Sequence, residues 1–230
     1  MNTLFEGPEK KLEIVTAPGY PSLRSFGEDF WPAIVERARA SVLSTMSNDS
    51  CDAYLLSESS LFVCDHQMVM ITCGKTTLVE AAVALLETIP IAQIDSLIYE
   101  RKNEYFPDQQ MTTFAEDVRE LERLAPGISI IFGNKKADHI ALFHLDRHFE
   151  PAPDDATLEL LMYDFDPIVR DRFVSGPAAL SPINDIGLET LFVDFETDEH
   201  QFNPAGYSFN AIGGKTYATL HVTPQEEGSY

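Results

Sequence analysis

Tyr54-Leu55-Leu56-Ser57-Glu58-Ser59-Ser60-Leu61-Phe62-Val63 is the stretch on which the architecture of this chain turns. Apolar and aromatic residues flank the Ser57-Glu58-Ser59-Ser60 core, and Gln67–Cys73 is again strand-like. The pattern predicts a hairpin that carries a polar knot inside one of its strands. Ser and Glu are poor strand formers, and burying them is unfavourable unless each finds a partner. A chemical role for the knot therefore stands beside the plainer reading, a polar patch on an edge strand.

With 230 residues and 44% hydrophobic content, the chain can bury a sizeable core. No apolar run approaches the length of a membrane helix, and Met1–Gly7 lacks a basic-then-apolar signal pattern. Sixteen basic against 37 acidic residues leave a net charge of −21. That argues against nucleic acid and anionic membranes and mildly for cationic ligands, although solubility accounts for it equally well. Cys51, Cys64 and Cys73 are odd in number and lack metal-ligand spacing, which predicts reduced thiols and a cytoplasmic location. The Asn48-Asp49-Ser50 sequon is then a chance match. No metal site is expected, because His144 and His148, four apart at a strand end, do not converge.

Coarse elements follow from periodicity and punctuation. A strand is expected through Val15, a loop over Pro18–Gly27, and an amphipathic helix over Glu28–Ser44 with Trp31 as packing. Thr77 and Glu80 form a predicted capping box ahead of a second helix, and Thr113 and Glu116 another ahead of a third. Ile94–Asn103, Ile128–Phe132 and Ile140–Leu145 read as strands. Asp155–Glu159 begins a further strand, Asp166–Phe173 is helical, and Leu188–Glu199 holds a strand ending in an acidic run. Gly74-Lys75-Thr76 mimics the end of a phosphate-binding loop, but Val69 stands where that motif needs glycine.

Several motifs lie in one order along the chain. Phe5-Glu6-Gly7-Pro8-Glu9-Lys10 opens it, and the Ser57–Ser60 knot follows. Cys73 of Thr72-Cys73-Gly74 stands fourteen residues after Ser59. Tyr99-Glu100-Arg101-Lys102-Asn103 comes next, and Phe202-Asn203-Pro204-Ala205-Gly206-Tyr207-Ser208-Phe209-Asn210 and Thr219-Leu220-His221-Val222-Thr223-Pro224 close the series. Together they resemble the eukaryotic S-adenosylmethionine decarboxylases, pyruvoyl enzymes of polyamine synthesis. The resemblance implies an α+β fold, a four-layer αββα sandwich of two similar halves. On this reading residues 1–230 form a single domain, with a first repeat over about 1–150 and an incomplete second over about 151–230.

The resemblance also implies roles. The chain would cut itself between Glu58 and Ser59, and Ser59 would become the pyruvoyl cofactor. The residue types suit this, since a hydroxyl one atom beyond Cβ can attack the preceding carbonyl, and only Ser, Thr or Cys offers such a group. Ser208 and His221 would serve processing, His221 removing the α-proton. Cys73 would be the proton donor, and Glu6 and Glu9 would serve the active site. Phe5 and Phe202 would stack on the substrate's adenine, with Leu56, Glu58 and Gln225 also binding substrate. S-adenosylmethionine would form an imine with the pyruvoyl group and lose carbon dioxide, the ketone acting as electron sink. Glu13, Asp155, Thr157 and Glu159 resemble an acidic site, buried between the sheets, that takes putrescine as activator. A homodimer is compatible with the resemblance.

Three departures qualify it. Gln225 stands where the family has a glutamate for the ribose hydroxyls, so a charge-assisted pair is lost. Lys75 is an insertion close to the chemistry. The chain stops at Tyr230, where family members continue. The alternatives are a decarboxylase of a different amino acid and a catalytically dead homologue that regulates an active partner.

Overall fold

The computed structural model describes residues 9–104, 107–134, 138–153, 155–174, 181–226 and 229–230. Eight strands form one antiparallel sheet: β1 (Glu9–Thr16), β2 (Val42–Ser47), β3 (Cys51–Leu56), β4 (Ser59–Cys64), β5 (Gln67–Thr72), β6 (Ile94–Lys102), β7 (Gly127–Gly133) and β8 (His139–Leu145). Their order is β2-β3-β4-β5-β1-β6-β8-β7, so the first strand in sequence lies inside the sheet, between β5 and β6.

Three helices, α1 (Phe30–Arg37), α2 (Leu78–Thr88) and α3 (Phe114–Glu122), cover one face. Period-two alternation puts Leu12 and Ile14 of β1, Leu61 and Val63 of β4, and Met68 and Met70 of β5 on that side. They pack with Ile34, Val35, Leu78, Ala82, Leu85 and Leu121 in the main core. Burying each such Leu or Ile contributes about 1.5–3 kcal/mol. Trp31 is buried there and its Nε1 donates to the Leu23 carbonyl at 3.2 Å, so it is a packing residue as expected. Gly127 is required where β7 meets β8, because a Cβ would come within 2.1 Å of the Phe143 ring.

One helix start agrees with the sequence reading, whereas another start and one helix end differ from it. Thr113 and Glu116 make the reciprocal capping box. Thr77 precedes α2 but does not cap it; its hydroxyl donates to the Arg37 carbonyl at 2.9 Å and ties α2 to the end of α1. The helix expected to reach Ser44 ends at Arg37, because Arg39 adopts φ 62° and Val42 onward pairs with β3. The apolar spacing that suggested a longer helix there serves strand alternation.

A second sheet holds β9 (Glu196–Gln201), β10 (Tyr207–Gly213) and β11 (Thr216–Val222), in the order β11-β10-β9. It stacks on the free face of the first sheet. Ile212 joins Cys51, Ala53 and Phe62 in a small core, and the Tyr217 ring stacks on Phe62 at 4.4 Å. Short helices α4 (Pro167–Arg170) and α5 (Pro182–Asp185) lie in the segment whose Phe173 and Ile183 cover the outer side of β10. The result is α+β, a helical layer on two stacked sheets with a slight outer cover.

Two expected strands shift. Leu188–Leu191 is a 3-10 turn, and the strand is the acidic run itself. Asp155–Glu159 is not a strand, because neither sheet offers it a ladder. Leu158, Leu160 and Met162 are exposed at 92%, 73% and 55%, whereas Glu159 between them turns onto the first sheet. Among the described residues, no helix is long and apolar enough to cross a membrane.

Candidate active site

The polar tetrad does not interrupt a strand. β3 ends at Leu56, Ser57 and Glu58 form a two-residue turn, and β4 starts at Ser59, which pairs with Leu56. The expectation of a knot within one strand is corrected: the polar residues sit at the hairpin tip, where two of them leave the ladder and incur no strand penalty. Ser57 is pinned from both sides, its N–H donating to the Ser41 carbonyl at 2.9 Å and its hydroxyl accepting from the Ser41 N–H at 3.0 Å. Ser59 is 2% exposed, and its hydroxyl makes no hydrogen bond among the described residues. Its φ of 153° is a setting that L residues rarely adopt, costing on the order of 1–3 kcal/mol.

Cys73, on the loop after β5, faces this turn. Its N–H and its S–H both donate to the Glu58 carbonyl oxygen, each at 3.0 Å. Burial pushes the Cys73 thiol up to about 11, against a hydrogen bond from Tyr230, so near neutral pH it keeps the proton it donates. Lys10 holds the loop in place: its Nζ donates to the Gly74 carbonyl at 2.7 Å, the Thr76 hydroxyl at 3.3 Å and Gln110 Oε1 at 2.8 Å. Burial, with the Arg101 guanidinium nearby, lowers Lys10 to about 8. Burial also raises the Glu58 carboxyl above its ordinary range.

The second sheet contributes a linked set. Ser208 of β10 and His221 of β11 are directly opposite, as are Asn210 and Thr219 two residues along. The Ser208 hydroxyl meets His221 Nδ1 at 2.8 Å. His221 Nε2 meets the Thr219 hydroxyl at 2.7 Å and the hydroxyl of Ser60 at 3.1 Å. Ser60 in turn donates to Asn210 Oδ1 at 2.5 Å, and Thr219 donates to the same oxygen at 2.9 Å. In the amide orientation that lets Asn210 Oδ1 accept from both hydroxyls, Nε2 carries the ring proton and Nδ1 accepts from Ser208, while Asn210 Nδ2 has no hydrogen-bond partner among the described residues. Burial lowers His221 to about 3, so the ring is neutral at physiological pH.

The remaining expected residues divide. Leu56 is fully buried beside the turn. Glu9 pairs with Lys102 at 3.0 Å. Phe202 lies between β9 and β10, its ring 4.6 Å from His200 and close to Gly206. Gln225 is half-buried just past β11, its N–H bonded to the Thr223 carbonyl at 3.0 Å. Phe5 and Glu6 lie outside the described residues. The acidic set is not a buried cluster, because Asp155 and Thr157 are exposed. Glu159 is bonded by the ammonium groups of both Lys11 and Lys102, and those charges hold its carboxyl below the ordinary range despite burial. Glu13 accepts from Gln67 at 2.9 Å, and burial raises its carboxyl.

Lys10, Ser60, Asn210, Thr219 and Tyr230 lie at the site but were given no role in the sequence reading. A signal existed for two of them. Asn210 is two residues from Ser208 and Thr219 two from His221, so strand period places each pair on one face. Lys10 shares the buried face of Leu12 and Ile14. Tyr230 comes near Cys73 only through the course of the chain after β11.

Comparison with known proteins completes the description. The sequence profile of the adenosylmethionine decarboxylase family matches residues 2–230. The S-adenosylmethionine decarboxylase proenzyme of Dictyostelium discoideum is 32% identical over 98% of this chain and 65% of its own length. That of Leishmania donovani is 34% identical over 98% of this chain and 64% of its own, and that of Xenopus laevis 33% over 98% and 73%. The chain thus spans about two thirds of the length of such relatives. A crystal structure of the Trypanosoma brucei AdoMetDC-delta26 monomer superposes with a TM-score of 0.52 at 25% identity, covering 74% of this chain and 66% of that one. The motifs, the stacked sheets and these matches agree: this chain belongs to the adenosylmethionine decarboxylase family.

Proposed function

We propose that this chain cuts itself between Glu58 and Ser59 and, with the pyruvoyl group so formed from Ser59, decarboxylates S-adenosylmethionine. The observation that carries this reading is the Glu58 carbonyl oxygen, held by two donors from Cys73 next to a buried serine hydroxyl that makes no hydrogen bond among the described residues. The donors stabilise the charge that appears on that oxygen when Ser59 Oγ attacks the carbonyl carbon. The C–O bond forms, the Glu58–Ser59 amide breaks, and the backbone strain at Ser59 is released with it.

The ester then eliminates: a base takes the Ser59 α-proton, the Cβ–O bond breaks, and Glu58 leaves as a carboxylate. His221 suits that step, because its ring is neutral at physiological pH and its Nε2 lies 3.1 Å from the hydroxyl of Ser60, the second residue after the cut. Water replaces the resulting enamine nitrogen as ammonia, which leaves the ketone. The buried Ser59 backbone and a protonated Cys73 beside it fit such a group, whose carbonyl, once formed, would supply an electron sink for carboxylate loss. Cys73 then has a proton to give to the substrate carbon. By family resemblance, Phe5, Phe202, Leu56, Glu58 and Gln225 contact substrate, with Glu6 and Glu9 nearby. Lys11 and Lys102 supply to Glu159 the positive charge that a diamine activator would bring.

Intact mass under denaturing conditions tests the proposal. Fragments 1–58 and 59–230, the latter beginning with a pyruvoyl group, are expected, and Ser59→Ala should remain one chain. A freshly made wild-type chain that stays whole would remove the cofactor and the decarboxylation together. Release of carbon dioxide from S-adenosylmethionine, set against other amino acids, then tests substrate choice at Gln225.

A further inference from the structure

Cys51 and Cys64 face each other across the β3–β4 hairpin, at the end opposite the Ser57–Glu58 turn. Both backbone groups of Cys51 point the other way: its carbonyl accepts from the Asn48 N–H at 3.0 Å, and its N–H donates to Asn48 Oδ1 at 2.8 Å. The pair is therefore a non-hydrogen-bonded one, whose Cα atoms sit about 4.5 Å apart. That separation lies inside the range a disulfide spans, roughly 4.4–6.8 Å. Both side chains lie on the face that meets the second sheet, with Ala53 and Phe62 as neighbours. Cys51 is buried and Cys64 only partly so, which makes Cys64 the more accessible of the two. Cys73 is engaged at the turn end of the hairpin and cannot compete.

We propose that Cys51 and Cys64 form a redox modification site, closing to a disulfide by exchange with a small oxidised disulfide such as oxidised glutathione. Cys64 attacks one glutathione sulfur; its S–S bond breaks and the first glutathione leaves as thiolate. Cys51 then attacks the Cys64 sulfur, its proton passing to the second departing glutathione. Two protein thiols are oxidised and one glutathione disulfide is reduced to two thiols. The Cys64 thiol suits the first attack, because a hydrogen bond from Cys51 holds it below its ordinary range against the cost of burial, with help from the Arg24 guanidinium. The linkage does not rest on self-cleavage, but its consequence does: in a cut chain it would join residues 1–58 to residues 59–230 covalently.

The test uses the full chain, incubated with oxidised glutathione or with dithiothreitol, then denatured, alkylated and digested without reduction. The expected product is the Cys51 peptide joined to the Cys64 peptide, two hydrogens lighter than the separate peptides, with Cys73 alkylated in both samples. Cys51→Ser should instead trap glutathione on Cys64. Wild-type protein in which both thiols remain alkylatable, or in which glutathione stays on Cys64 beside a free Cys51, would overturn the proposal. The peptide map reads the same in cut and uncut chains, so failure of self-cleavage leaves this result interpretable. If the chain is cut, the two fragments should migrate together until reduced.

Discussion

A carbonyl oxygen that accepts from both the N–H and the S–H of one cysteine is polarised from a single anchored residue, and removing the thiol leaves half of the clamp. Cys73→Ala should slow the appearance of fragments about 10- to 100-fold in a time course on denaturing gels, and Cys73→Ser, which keeps a donor, should lose less. A second expectation concerns the His221 tautomer. Thr219→Val removes an acceptor for Nε2–H and should slow processing about tenfold with the circular dichroism spectrum unchanged, whereas Thr219→Ser should recover most of the rate. At this scale the resemblance of the motifs pointed to Ser59, Cys73, Ser208 and His221 as the candidate reacting groups, but it gave no role to Lys10, Ser60 and Tyr230. Their value lies in which atom they touch, and no local pattern encodes that.

Among the elements, β1 illustrates how alternation distributes chemistry. Its even residues Lys10, Leu12 and Ile14 face the helices, while Glu9, Lys11 and Glu13 face the other way, Glu9 and Lys11 joining the ion pairs with Lys102 and Glu159. Because Lys11 already meets Glu159, added putrescine should change the wild-type processing rate by less than about twofold. In Lys11→Ala the same diamine should accelerate processing, and a null response in both proteins would refute the assignment. The amphipathic periods of α2 and α3 were legible, and so were β1, β5, β6, β7 and β8, whereas β3 and β4 were read as one strand and β2 as the end of a helix. The end of α1 was not, because a left-handed Arg39 and the pairing of β2 with β3 override a spacing that fits either element. Asp155–Glu159 failed for the converse reason: strand-like alternation is present, but a strand exists only where a neighbour supplies its ladder.

For the whole molecule, the sandwich carries a pH signature. His221 is buried neutral, about 3 in the fold against 6.5 when free. The stability tied to that state is fully present above the free value and is lost as pH falls toward the folded one. Between pH 7 and pH 5 this should cost about 1–2 kcal/mol, read as a falling thermal midpoint, and His221→Gln should flatten that slope. Glu13 and Glu58, raised by burial, act in the opposite sense and offset part of the loss as pH falls through their folded values. The sequence by itself was enough for the β4–β5 hairpin, because strand period and turn punctuation are local properties, and the order of its motifs implied, by resemblance, the α+β class and the candidate reacting residues. Only the tertiary structure decided that Cys73 clamps the Glu58 carbonyl, that Ser60 reaches His221 from another sheet, and that lysines occupy the acidic set. Those contacts join residues far apart in the chain, and their geometry is set by how two sheets stack.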